Sequence, residues 1–239
     1  MFRNISGKLQ EYFKFSKEEL FSILLATILF GFMLSFRDWG KNIFSVKSGI
    51  SAWVISSGIF FLLYMVYLSI IKIVAIWKGY KAEFKLSKTI LGIALFLTFM
   101  SEGLFILLIP GSIYFNYVKK HRLGKLKMMK YSSFGYIGTI SSLFLILIGA
   151  LFAPLYGVSL IFEKIVVISL LIAIFSMLPI PSTTGFYLII ISYINYFTTL
   201  GAVLIAALFA YLEVGVFFTL IITLFISAFI WILLFKYLE

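Results

Sequence analysis

The chain has no cysteine, one histidine and only 12% charged residues among its 239. Each scarcity removes a class of chemistry. Without cysteine there is no disulfide, no thiolate nucleophile and no zinc–thiolate site. With His121 as the lone imidazole, set among cations in "KKHRLGKLKMMK", a two-histidine metal site cannot be assembled. No cofactor is expected. A soluble domain carries about 25% charged and about 45–50% apolar residues. Here 63% are hydrophobic and the mean hydropathy is +1.14. Several apolar stretches exceed the ~18 residues that span a bilayer core, so the expected class is an all-α polytopic membrane protein.

Negative charge is scarce as well, with 9 acidic against 20 basic residues and a net charge of +11. Such a balance can signal nucleic acid, but these cations crowd the ends of hydrophobic runs. That placement fits topology signals and contacts with anionic lipid headgroups, foremost at the basic loop 119–130. No nucleic-acid partner is expected. No cleavable signal peptide is expected either, because the first apolar run continues into "RDWG" without a small-residue cleavage site.

Hydrophobic segments fall near 18–36, 50–77, 89–109, 134–152, 164–180, 186–210 and 214–236. Counted as seven full spans, they place nine basic residues on one side and ten on the other, with no bias. If 89–109 instead turns near Ser101-Glu102-Gly103 and leaves on the side it entered, the division becomes 15 against 4. The positive-inside rule favours that arrangement, and irregular backbone at membrane depth is tolerated where protein covers it. The expectation is six transmembrane helices plus a re-entrant hairpin, in the cell (plasma) membrane, with both termini cytoplasmic. Residues 1–17 read as an interfacial amphipathic segment, with Phe2, Ile5, Leu9, Tyr12 and Phe13 three or four apart. Residues 18–239 read as one membrane domain, opened by a capping box of Ser16 with Glu19.

The stretch "SMLPIPSTTGFYLI" (176–189) breaks an apolar run with two of the chain's four prolines. "LPIPSTTGFYLI" resembles the second signature of site-2 protease-type intramembrane metalloproteases, approximately Asn-x-x-Pro-x-x-Pro-x-Asp-Gly. Other stretches agree in order: "FSKEEL", "KIVAIWKGYKAEF" (72–84), "IPGSIYFN" (109–116) and "FGYIGTISS" (134–142). The resemblance implies a site-2 protease-like core with a short β-hairpin near 80–86/110–116. It also implies a zinc-activated water held by two histidines of a His-Glu-x-x-His helix and one aspartate, with the glutamate as general base. Carried over residue by residue, those positions hold Tyr67, Leu68, Ile71 and Thr184. The loop asparagine falls on Ser176, and a Pro-x-x-Asn pair falls on Tyr136 and Thr139. Isoleucine offers no lone pair and leucine no proton. The resemblance therefore points to a pseudoprotease with no metal and no catalytic residue.

Two functional expectations remain. Ser176, Pro179, Pro181, Thr183, Thr184, Gly185 and Asn195, with Tyr67, are candidates for a groove that receives a partner protein's transmembrane segment. The plainer account is that their hydroxyls satisfy backbone groups freed by the prolines. A bulky Tyr67 would also fit a filled cavity. Glu102 is a carboxylate at bilayer depth and a functional candidate by default, with Lys72 as its nearest partner. The alternatives are a snorkelling Lys72 with a neutral or turn-capping Glu102, a structural ion pair of the two, or an ion path. Gly135, Gly138 and Ser142 form a small-residue face suited to close helix packing.

Overall fold

The fold is that of a computed structural model, which describes residues 5–40, 45–117, 129–181, 183–190 and 192–212, with single positions between 218 and 229. His121, most of the basic loop, Glu213 and most of the final apolar run lie outside the described residues. The elements run α1 (Ile5–Tyr12), α2 (Lys17–Leu34), α3 (Val46–Trp77), β1 (Tyr80–Leu86), α4 (Lys88–Met100), β2 (Gly111–Tyr117), α5 (Met129–Phe152), α6 (Leu160–Ser176), α7 (Thr184–Ile189) and α8 (Tyr193–Tyr211). Short 3-10 turns at Phe36–Trp39 and Ala153–Leu155 follow α2 and α5. Among the described residues, three helices are long and apolar enough to cross a membrane, within 46–77, 133–155 and 193–211.

The capping box forms as read: Glu19 N–H donates to Ser16 Oγ and Ser16 N–H to the Glu19 carboxylate. It fixes the start of α2, whose 18 residues rise about 27 Å. Helices α3 and α5 form the centre. α3 packs against α2, α5 and α6, and α5 additionally against α7 and α8. Small residues allow the closest approaches. A Cβ on Gly31 would lie 1.9 Å from Ser57 Oγ, and one on Gly149 would lie 2.5 Å from Ser169 Oγ. An aromatic column runs from α2 into α3, with Phe30–Phe60, Phe60–Tyr64 and Tyr64–Tyr67 centroids 5.5, 5.4 and 5.8 Å apart.

Strands β1 and β2 form an antiparallel ribbon running from Tyr80↔Tyr117 to Leu86↔Gly111, extended by Ser87 N–H to Pro110 O. The segment between therefore leaves and returns to the same place. It goes out as α4 and turns at residues 101–104, where Gly103 N–H donates to Thr98 O. It comes back through Pro110 without regular secondary structure. Gly111 is required at the join, since a Cβ there would meet Lys85 O at 2.2 Å. Both outer edges of the ribbon are stopped by side chains. Glu19 Oε1 accepts Phe84 N–H at 2.8 Å on the β1 side, and Tyr187 Oη donates to Ile113 O at 3.0 Å on the β2 side.

Of the alternatives left open for Lys72, the ion pair with Glu102 does not form. Lys72 is 2% exposed and donates to Glu19 Oε2 at 2.8 Å. Its ammonium also reaches Lys14 O at 3.4 Å and sits 4.0 Å from the centre of the Phe15 ring. Nor does it snorkel. Glu102 lies exposed in the turn after α4 with φ +51°, a left-handed conformation rare outside glycine. The physical reason for the swap is reach. Glu19 starts α2 beside the ribbon end of α3, whereas the hairpin carries Glu102 to the far end of α2, where Gly103 meets Phe36 and Arg37.

Candidate functional site

The broken stretch builds a notch between four helices. α6 ends at Ser176, a turn through Met177–Thr183 carries the prolines, and α7 starts at Thr184. The carbonyls freed by the break are met by hydroxyls. Thr183 Oγ1 donates to Leu178 O and Ile180 O, Thr184 Oγ1 to Ser176 O at 3.0 Å, and Ser176 Oγ to Ala173 O at 2.8 Å. Ser142 of α5 shares a 2.7 Å hydroxyl–hydroxyl hydrogen bond with Ser176. Tyr67 of α3 closes the set, lining the same notch as Thr184 and Ser176.

Two glycines make this closeness possible. A Cβ on Gly138 would sit 2.1 Å from Thr184 Oγ1, and one on Gly185 would sit 2.1 Å from Met177 O. Thr139, fully buried, donates to Gly135 O at 3.1 Å and contacts Met177 Sδ at 3.6 Å. Tyr67, Ser176 and Thr184, distant in sequence, thus meet at one point, with Thr183 in the same lining. Leu68 and Ile71 are fully buried in the core but do not line the notch. Asn195, Pro179 and Pro181 are not brought into it, and both prolines are exposed.

The notch is nearly full. Tyr67 is 3% and Thr184 1% exposed. The remaining space is about 20 Å³, bordered by Tyr64, Leu108, Pro110 and Ile113 besides the hydroxyls. That volume holds about one water. Its lining carries hydroxyls and backbone but no carboxylate, imidazole or amine. A hydroxyl without an adjacent base is a weak nucleophile, and these already donate to carbonyls. Among the described residues no three His, Cys, Asp or Glu side chains converge as a metal site would require. No protein-family model, curated protein or solved structure matches the chain.

Two features of the site were not read from the sequence. One is Glu19, which joins the α2 start, α3 and β1 through one carboxylate. Its only signal was the capping box. The other is the return arm at 104–110. Leu108 and Ile109 are buried against the notch, while Leu104 and Phe105 are 73% and 50% exposed. Phe105 N–H donates to Ser101 Oγ and Ile109 N–H to Leu107 O. Among the described residues the N–H groups of Ile106, Leu107 and Leu108 have no acceptor.

Proposed function

We propose that this chain is a catalytically inert, multi-pass protein of the cell membrane that holds a partially unwound transmembrane segment of another protein, as an adaptor or regulator. In this reading it crosses the membrane six times, keeps both termini in the cytoplasm and has a core like that of the site-2 proteases. The return arm at 104–110 is the observation that carries it. Among the described residues the N–H groups of Ile106, Leu107 and Leu108 are unpaired on an apolar segment. Such groups cost several kcal/mol each where lipid covers them, and a guest segment laid along the arm supplies carbonyls to those on its open side. The filled notch behind the arm argues for the arm, rather than Tyr67 or Thr184, as the contact. The ribbon is a poorer candidate, because Glu19 and Tyr187 already occupy its outer edges.

The competing enzymatic reading, a zinc metallopeptidase of the site-2 type, meets a lining of hydroxyls where ligands and a base are needed. Photocrosslinking in native membranes separates the two. A photoreactive residue at Leu104 or Phe105, with exposed Leu151 of α5 as control, gives a discrete adduct with one membrane protein at the arm alone. Lipid adducts only, or identical adducts at the control, would remove the proposal. Stoichiometric zinc with cleavage of a membrane substrate would replace it with the enzyme.

A further inference from the structure

A second site lies at the other end of α2. After Leu34 the chain turns through Phe36–Trp39 and places Arg37 and Asp38 opposite Lys164 of α6 and the hairpin tip at Gly103. With Met33 and Leu34 these residues enclose an open pocket of about 370 Å³. Lys164 is committed: its ammonium donates to Asp38 at 2.6 Å and to Leu34 O at 2.7 Å. Arg37 is not. The pocket faces its guanidinium, which among the described residues engages no hydrogen-bond or ion-pair partner. Two cations and one carboxylate leave the pocket one positive charge in excess, with five guanidinium N–H donors and one ammonium N–H to spare.

Position narrows the ligand. α2 rises about 27 Å from its capped start to this pocket, close to the ~30 Å of a bilayer core, so the pocket lies at the depth of headgroups. Apolar side chains flank the tip on the membrane side. Met100 is 70% and Leu104 73% exposed, a surface for acyl chains beside a cationic cup.

We propose that this pocket binds a phosphate group, held by a bidentate pair of Arg37 N–H donors and by the remaining N–H of Lys164. The apolar flank suits the phosphodiester of a membrane lipid, and free phosphate offers the same chemistry without the tails. Occupancy would tie the hairpin tip to α2 and α6. The proposal needs neither a partner at the arm nor an inert notch, so it can fail or hold by itself.

The test is binding to the purified full-length chain in nanodiscs, read by native mass spectrometry and by lipid exchange. The probes are phosphatidylglycerol in a zwitterion-free synthetic lipid background and, separately, inorganic phosphate. Arg37→Gln weakens the bound probe at least about tenfold, the loss expected for charge-assisted hydrogen bonds. Arg37→Lys weakens it less. Lys47→Gln, an exposed cation near the start of α3, leaves it unchanged. Loss of the phosphatidylglycerol adduct alone identifies a lipid site, and loss of bound phosphate in both arms identifies a phosphate site. Equal binding by wild type and Arg37→Gln, with thermal unfolding showing both folded, overturns the proposal, as does absence of both adducts from wild type.

Discussion

Removing one partner of the Glu19–Lys72 pair is the sharpest test of the packing described above. The side chains are 6% and 3% exposed, so neither charge is rescued by solvent when the other goes. Breaking a buried pair from one side costs about 3–5 kcal/mol, because an uncompensated charge stays behind. In Glu19→Gln the amide oxygen can still accept Phe84 N–H, but Lys72 keeps only Lys14 O at 3.4 Å and the Phe15 ring. In Lys72→Met the carboxylate retains two N–H donors and loses its cation. The double variant buries no charge and conserves volume, which is often close to neutral. Each single variant should therefore lose about 3–5 kcal/mol, with the double more stable than either. Equilibrium unfolding in mixed micelles under SDS titration, followed by tryptophan fluorescence, gives the full double-mutant cycle. Additive single effects, with no coupling between the sites, would refute the reasoning.

The notch makes two further predictions. Tyr67→Phe removes one hydroxyl whose neighbours keep backbone acceptors, and should cost about 1 kcal/mol, whereas Tyr67→Ala opens a cavity and should cost about 3–5 kcal/mol by the same titration. Gly138→Ala drives a methyl to within 2.1 Å of Thr184 Oγ1 and should cost about 1–3 kcal/mol; unchanged stability would mean that α5 and α7 do not pack as described. On the ribbon, a hydrogen bond from Lys81 holds the Glu83 carboxyl below its ordinary 4.5. A depressed carboxylate stabilises above its unfolded pKa and loses that contribution as pH falls through the folded one. The loss below pH 4.5 should stay under about 1 kcal/mol for so exposed a pair. Lys81→Met should reduce this pH dependence, with Lys85 and Lys72 still acting on the carboxylate, checked by unfolding from pH 3 to 6 (roughly the titration span of a carboxylate).

Local signals in the sequence were legible and distant ones were not. Ser16 and Glu19 stand three residues apart, and their capping box could be read directly; the same carboxylate's contact with Lys72 crosses 53 positions and left no local trace. The return of the chain after Gly103 could be anticipated from charge imbalance, which records a side of the membrane rather than a contact, and the ribbon was expected only from the family resemblance. Two prolines announced the break after Ser176, and the hydroxyls beside them were read as its partners. What the chain could not disclose was depth and filling. Glu102 looked buried because it interrupts an apolar run, yet the turn presents it outward. Tyr67 could have lined an open groove as well as stopped a closed one; the choice depends on how nearly α3, α6 and α7 approach, which Gly138 and Gly185 decide.

Because Leu86 pairs with Gly111 and Ser87 with Pro110, the two feet of the hairpin stand one strand spacing apart, about 4.8 Å. A segment anchored in that way can change length at little thermodynamic expense, since closure entropy rises only with the logarithm of length, about 0.6 kcal/mol per doubling. The tip gives up that freedom to contacts: Gly103 lies against Phe36 and Arg37, Phe99 packs on Phe36 and Phe105 on Phe175. The ribbon sets where the arm is planted, and these contacts, rather than closure entropy, set how far it reaches.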